Sequence, residues 1–284
     1  MSSLKTVISI CAQDLRKWQT DHRVRTIAVL AVIIVQIYVD DMRRISDGLG
    51  TAMPVWIFPF LYSQFHTKLI FTLPIVLLFC NAPFTDRNQI FVYIRTGRTK
   101  WLCGQVLYIA AASAVYYIFL LIVTILSTLF NGGDALDWGK TLTTTANSNA
   151  ALYFDSPFID VSSVVVRFFS PFSACWFTFL LSWLCAVMLG LILFLCNIVS
   201  GTRFIGIAIT STLIVLSALV NNSFPQFLKF SPVSWNTLDN IDIGGRTTKP
   251  SFAYCIVVYA AVIVLLIAAI FIFGKKNSLD VKEG

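Results

Sequence analysis

The residue types that usually carry chemistry are few in this sequence, and their spacing suits no reaction. There are two histidines, His22 and His66, and seven cysteines, Cys11, Cys80, Cys103, Cys175, Cys185, Cys196 and Cys255. None of these forms a C-x-x-C pair or a Cys/His cluster whose short spacing would let ligands converge on zinc. A thiol in an apolar block behaves as a small hydrophobe, so all seven cysteines are read as structural and no disulfide framework is expected. H-E-x-x-H and G-x-S-x-G are both absent, which removes the reacting groups of metalloproteases and serine hydrolases. Gly97-Arg98-Thr99-Lys100 and Gly274-Lys275-Lys276 do not supply the phosphate-cradling loop G-x-x-x-x-G-K-[ST]. The sequence therefore assigns no catalytic, metal or cofactor-binding residue. Any ATP would have to be bound and hydrolysed by another polypeptide.

What remains is mechanical chemistry, concentrated between residues 85 and 100. Asp86 opens a run that continues through Arg87, an apolar-faced stretch, Arg95, Gly97, Arg98 and Lys100 before Trp101. The pattern fits a short helix lying along a membrane surface, which could pass force between a soluble motor and the spans. It also fits a basic loop whose only task is to fix topology, since positive loops flank spans in polytopic proteins generally.

The elements that would position such a run follow from composition. Of 284 residues, 57% are hydrophobic and only 12% charged, far from the roughly half apolar and quarter charged of a soluble domain. The apolar residues gather in long blocks, the distribution that a lipid solvent selects. One all-α transmembrane domain over residues 1–284 is expected, with six spans at about 24–39, 69–84, 101–130, 175–199, 204–220 and 252–273. The segment 52–65, broken by Pro54 and Pro59, reads as interfacial or re-entrant, because about 14 residues are too few to cross. Polar residues 40–50 read as a patch after the first span. Residues 131–172 and 221–250 read as external loops, the first ending in a short helix over Phe168–Phe172. The turn Ser200–Arg203 is so short that the fourth and fifth spans must form a helical hairpin.

Before the first span, Leu4, Val7, Ile8, Cys11, Leu15 and Trp18 recur three and four residues apart, with Lys and Arg opposite. An amphipathic helix over residues 1–23, lying at the cytoplasmic interface and anchored by Arg16, Lys17 and Trp18, fits that spacing. Periodicity alone equally allows a helix packed on protein. Asp40-Asp41 follows the first apolar block where a cleaved signal peptide would carry small residues, so the block reads as a retained anchor. With both termini inside, five Lys/Arg precede the first span, four lie between the second and third, one is Arg203 and three follow the last, while the external segments hold eight. That bias supports cytoplasmic termini. The net charge of +7 is therefore assigned to topology and anionic headgroups, with no nucleic acid as partner.

Away from their ends the six expected spans carry no Asp, Glu, Lys, Arg or His, which disfavours an ion-coupled pump. Polar Gln36, Gln105, Ser182, Thr210, Ser211 and Ser217 are expected to satisfy themselves on neighbouring helices.

The run Asp86 to Gln105, D-R-N-Q-I-F-V-Y-I-R-T-G-R-T-K-W-L-C-G-Q, resembles the cytoplasmic coupling segment of ABC transporter permeases of the antibiotic- and peptide-export class. Those proteins show an acidic residue after span two, a stretch ending in a small or Pro residue followed by Ser/Thr-Arg, then Gly-Lys opening span three. Here Asp86 takes the acidic place, Arg95-Thr96-Gly97-Arg98 the loop, and Gly104-Gln105 the Gly-Lys pair. Asp stands where Glu is commoner and Gln105 where Lys is expected. The resemblance implies a plasma-membrane, multi-pass permease that pairs with a second transmembrane subunit, identical or homologous, and with cytosolic ATP-binding subunits in two copies. The cargo would be amphiphilic: a peptide, antibiotic or lipid. A different class remains open, a non-transporting immunity or sensor protein that binds a peptide or lipid through its external loops.

Overall fold

The structure is a computed structural model, and it describes residues 3–82, 87–131, 133, 137–148, 150–243 and 248–276. Those residues form α1 (Ser3–Arg16), α2 (His22–Leu49), α3 (Phe65–Phe79), α4 (Arg87–Thr96), α5 (Arg98–Phe130), α6 (Gly139–Asn147), α7 (Ala150–Tyr153), α8 (Ser163–Phe168), α9 (Pro171–Ser200), α10 (Arg203–Ser223) and α11 (Phe252–Lys276). Several 3-10 turns complete the described chain, which contains no β-strand.

Four helical stretches, Arg98–Phe130, Pro171–Ser200, Arg203–Asn221 and Phe252–Gly274, are long and apolar enough to cross a membrane. With them the chain is an all-α membrane protein. Helix α3 is apolar but only 15 residues long, with Pro74 inside it. Helix α2 is 28 residues long, and its ends are charged.

Contacts along the long helices define two ends of one bundle. At the first, called proximal here, Trp18 meets Tyr108, Arg23 meets Cys80, Asn197 meets Ala82 and Arg203 meets Asn81. Gly274 closes on Leu102 at the same end. At the distal end Arg43 meets Asn131, Phe177 packs on Phe252, and Tyr259 donates to the Pro232 carbonyl. Helices α2, α3, α5, α9, α10 and α11 run alternately between these ends, and one apolar core links them.

The distal end carries a cap. The segment 52–64 is irregular with a single 3-10 turn, Phe58–Phe60, and its Phe58, Phe60, Leu61 and Tyr62 are buried. Thr141 of α6 donates to the Ala52 carbonyl, Ser156 to the Asp41 carbonyl and Ser162 to Asp239. Three short helices thus stand where an external loop is expected. Its final helix is Ser163–Phe168, five residues earlier than the expected Phe168–Phe172, because Ser170 and Pro171 begin α9 and break the chain there.

The expected polar patch after the first span is instead the last turns of α2. Val39, Met42, Ile45 and Ser46 keep a buried stripe, while Arg43–Asp47 (3.7 Å) pairs along the outside and the exposed Arg44 reaches the buried Asp41 (3.5 Å). Gly50, at φ +61°, ends the helix in the left-handed conformation that glycine adopts without a Cβ penalty. Among the tryptophans, Trp101, Trp138 and Trp235 are buried, and Trp176 is exposed.

Candidate functional site

Two short helices lie against the proximal end of α5. Helix α1 is seated in a notch. At Gly104 a Cβ would come within 2.6 Å of Ile10, so only glycine allows this approach. One residue on, the buried Gln105 Nε2 donates to Asp14 Oδ2 at 2.9 Å, while Lys17 pairs with Asp14 Oδ1 at 2.8 Å. Trp18 Nε1 donates to Tyr108 Oη at 2.9 Å. Of the expected anchors of this N-terminal elbow, Trp18 ties it to α5, Lys17 pairs with Asp14 of α1 itself, and Arg16 stays exposed. The opposite face of α1 is apolar and open, with Leu4 and Ile8 exposed.

Helix α4 is held differently. Val92 and Tyr93 pack on the core, and the Tyr93 ring meets the buried Trp101 edge to face at 5.9 Å. Gly97, at φ +82° and ψ 153°, turns the chain between α4 and α5 in a region of backbone space open essentially to glycine alone. Phe91, Ile94 and Arg95 point away from the bundle, with Phe91 72% and Ile94 74% exposed. Lys100 is exposed and Arg98 half-buried. Arg87 begins the helix, and Asp86 lies outside the described residues. Arg95, Gly97, Arg98 and Lys100 thus lie, as neighbours in sequence, at the turn between α4 and α5.

The sequence reading missed a buried cation. Lys68 was counted with the external segments, just ahead of the second span; the structure places it inside α3, fully buried. Its Nζ donates to the Ser234 carbonyl at 3.3 Å, and Cys185 of α9 and Tyr259 of α11 lie beside it. Around this point Tyr62 Oη, Thr72 Oγ1, Tyr117 Oη, Thr178 Oγ1, Ser182 Oγ and Asn236 Nδ2 are buried without a hydrogen-bond partner among the described residues. Thr72 follows Lys68 by one helical turn, and Thr178, Ser182 and Cys185 share one face of α9, so the groups converge from several elements. Ser182, expected to satisfy itself on a neighbouring helix, has no hydrogen-bond partner among the described residues. The others in that set do better: Gln36 donates to Ser127 at 2.7 Å, and Thr210 and Ser217 to carbonyls of their own helix.

Near the elbow, Asp21 caps α2 by accepting from the Arg23 backbone N–H at 2.9 Å, and its carboxylate meets the Arg23 guanidinium at 2.7 Å. Partial burial pushes the Asp21 pKa up, but hydrogen bonds and charge from Arg23 outweigh this and leave the carboxyl below its ordinary value.

Comparison of the chain with protein-family models, curated proteins and solved structures gave no match. The fold and the site thus define a class, an all-α membrane protein with a surface helix hinged to one of its long helices. The function rests on their geometry.

Proposed function

We propose that the chain is the permease subunit of an ATP-driven ABC exporter in the plasma membrane. In this reading α2, α3, α5, α9, α10 and α11 are six spans, the proximal end and both termini are cytoplasmic, and the distal cap is external. The observation that carries the reading is α4. A ten-residue helix that shows Phe91, Ile94 and Arg95 to the outside, and joins α5 through a glycine hinge, is suited to receive a soluble motor and to move a span. Two cytosolic ATP-binding subunits and a second permease, identical or homologous, would complete the machine, and this polypeptide would catalyse nothing itself. The polar groups around Lys68 supply wettable surface inside the bundle for an amphiphilic cargo. A lone buried lysine with no acidic partner among the described contacts is a poor proton relay, so the driving force is assigned to ATP.

The test is purification of the full chain from its native membrane in mild detergent, with mass identification of bound subunits. A nucleotide-binding protein should co-purify, and Ile94→Ser combined with Arg95→Glu should release it while insertion continues. If the chain purifies without any such protein, or the double variant retains it unchanged, the permease reading fails.

A further inference from the structure

A cavity of about 80 Å³ opens at the proximal end between α1, α2, α3 and α5. That is several times the space one water needs. Its lining mixes charged and apolar side chains. Two ion pairs stand in it, Lys17 with Asp14 and Arg23 with Asp21. Val24, Ile27 and Leu77 line it too, and Leu77 is 53% exposed on the outside of the bundle. The cavity thus joins charge to an apolar wall that reaches a surface lipid would cover.

The charged residues of the lining are fixed in place. Asp14 is only 3% exposed and is fixed from two directions by Lys17 and Gln105. Arg23 spends two nitrogens on Asp21, but its Nη1 points at the thiol of Cys80 at 3.1 Å, and sulfur is a weak acceptor. A phosphate oxygen in its place would give the guanidinium the charge-assisted partner its geometry favours. Arg203 donates to Asn81, another wall residue. The carboxylates of Asp14 and Asp21 stand close enough to the same space to receive an ammonium group.

We infer that this cavity binds the headgroup of a zwitterionic phospholipid, its phosphate on Lys17 and Arg23, its ammonium near Asp14 and Asp21, and an acyl chain along Val24 and Leu77. The shared chemistry, an anion on Arg23, could also come from free phosphate, but the apolar wall and the membrane-surface position favour the lipid. The inference needs only that the proximal end meets a membrane surface, so it stands or falls separately from the exporter reading.

The experiment uses the full chain in mild detergent. Thermal unfolding and native mass spectrometry would be followed with a short-chain phosphatidylethanolamine, a phosphatidylglycerol of equal chain length, glycerophosphoethanolamine and inorganic phosphate. Phosphatidylethanolamine should bind and raise the unfolding temperature, with the other three at least tenfold weaker. Lys17→Gln and Arg23→Lys should each weaken it about tenfold, whereas Arg43→Gln at the distal end should leave it unchanged. Should either proximal variant fold poorly, quenching of Trp18 fluorescence by a brominated phosphatidylethanolamine in the unmodified chain gives the same answer. Equal stabilisation by inorganic phosphate would reduce the cavity to an anion site and overturn the lipid assignment. Equal binding of phosphatidylglycerol would overturn the role of the carboxylates. Unchanged lipid binding in both variants, or no quenching of Trp18, would place the lipid elsewhere.

Discussion

Helices α1 and α4 begin from similar material, a short amphipathic segment rich in Arg and Lys, and both rest on the same end of α5. Their attachments differ. Helix α1 is keyed in by Gly104, by the buried Asp14–Gln105 hydrogen bond and by Trp18 on Tyr108, and its large exposed apolar side chains are Leu4 and Ile8. Helix α4 touches the bundle through Val92 and Tyr93, turns on Gly97, and leaves Phe91, Ile94 and Arg95 outside. Amphipathicity alone therefore does not say what a surface helix does. Attachment divides them: α1 is fixed at several points, and α4 is an arm joined through a glycine turn, which the proposed reading has a motor push.

The contrast can be broken from either side. The largest effect is expected at Gly104→Leu, which drives a branched side chain into Ile10 and should cost about 3 kcal/mol by overpacking. Hydrogen exchange should then show α1 opening while α4 keeps its protection. Gln105→Leu removes a buried partner from the Asp14 carboxylate and should cost about 2 kcal/mol, read as a lowered unfolding temperature. Gly97→Ala meets no neighbouring atom but places a side chain at φ +82°, so about 1 to 2 kcal/mol of backbone strain should fall on the α4–α5 turn alone.

Smaller again is Asp21→Asn, which keeps the cap of α2 but removes the charge facing Arg23, for about 0.5 to 1 kcal/mol near neutral pH. The Asp21 carboxyl is held below its ordinary pKa in the folded chain, so its contribution is present above the ordinary carboxylate range. It is lost as pH falls through the folded value. Thermal unfolding of the Asn variant and the parent should therefore converge at acid pH and diverge at pH 7. The smallest stability effect belongs to Arg95→Glu, within about 0.5 kcal/mol because the side chain is exposed. Its consequence should appear in partner binding.

Much of the fold was legible because long apolar blocks leave lipid as the only solvent that suits them, and the helices at α5, α9, α10 and α11 follow those blocks within a few residues. The short helix α4 was legible for the same reason that amphipathic periodicity is visible locally. The end of α2 was not, because Asp40, Asp41, Arg43, Arg44 and Asp47 look like a loop until their pairing along a helix face is known. Lys68 was misplaced because it precedes the apolar run in sequence, while its burial comes from Ser234, 166 residues away. The Asp14–Gln105 contact joins positions 91 apart, which no local spacing rule can see. Gly104 and Gln105 were noted as the counterpart of a Gly-Lys pair in a coupling segment. In the structure their contacts are with the elbow, so their local role is to seat α1.

A photo-activated cross-linking residue at Arg95, with a second at Leu152 on the exposed distal cap as control, tests the arm most directly in intact membranes of the native host. Cross-linking from position 95 to a soluble, nucleotide-binding polypeptide, with none from position 152, is the expected result. Adducts from position 95 to lipid alone, or from both positions to the same polypeptide, would contradict the assignment of α4 as the element a motor moves.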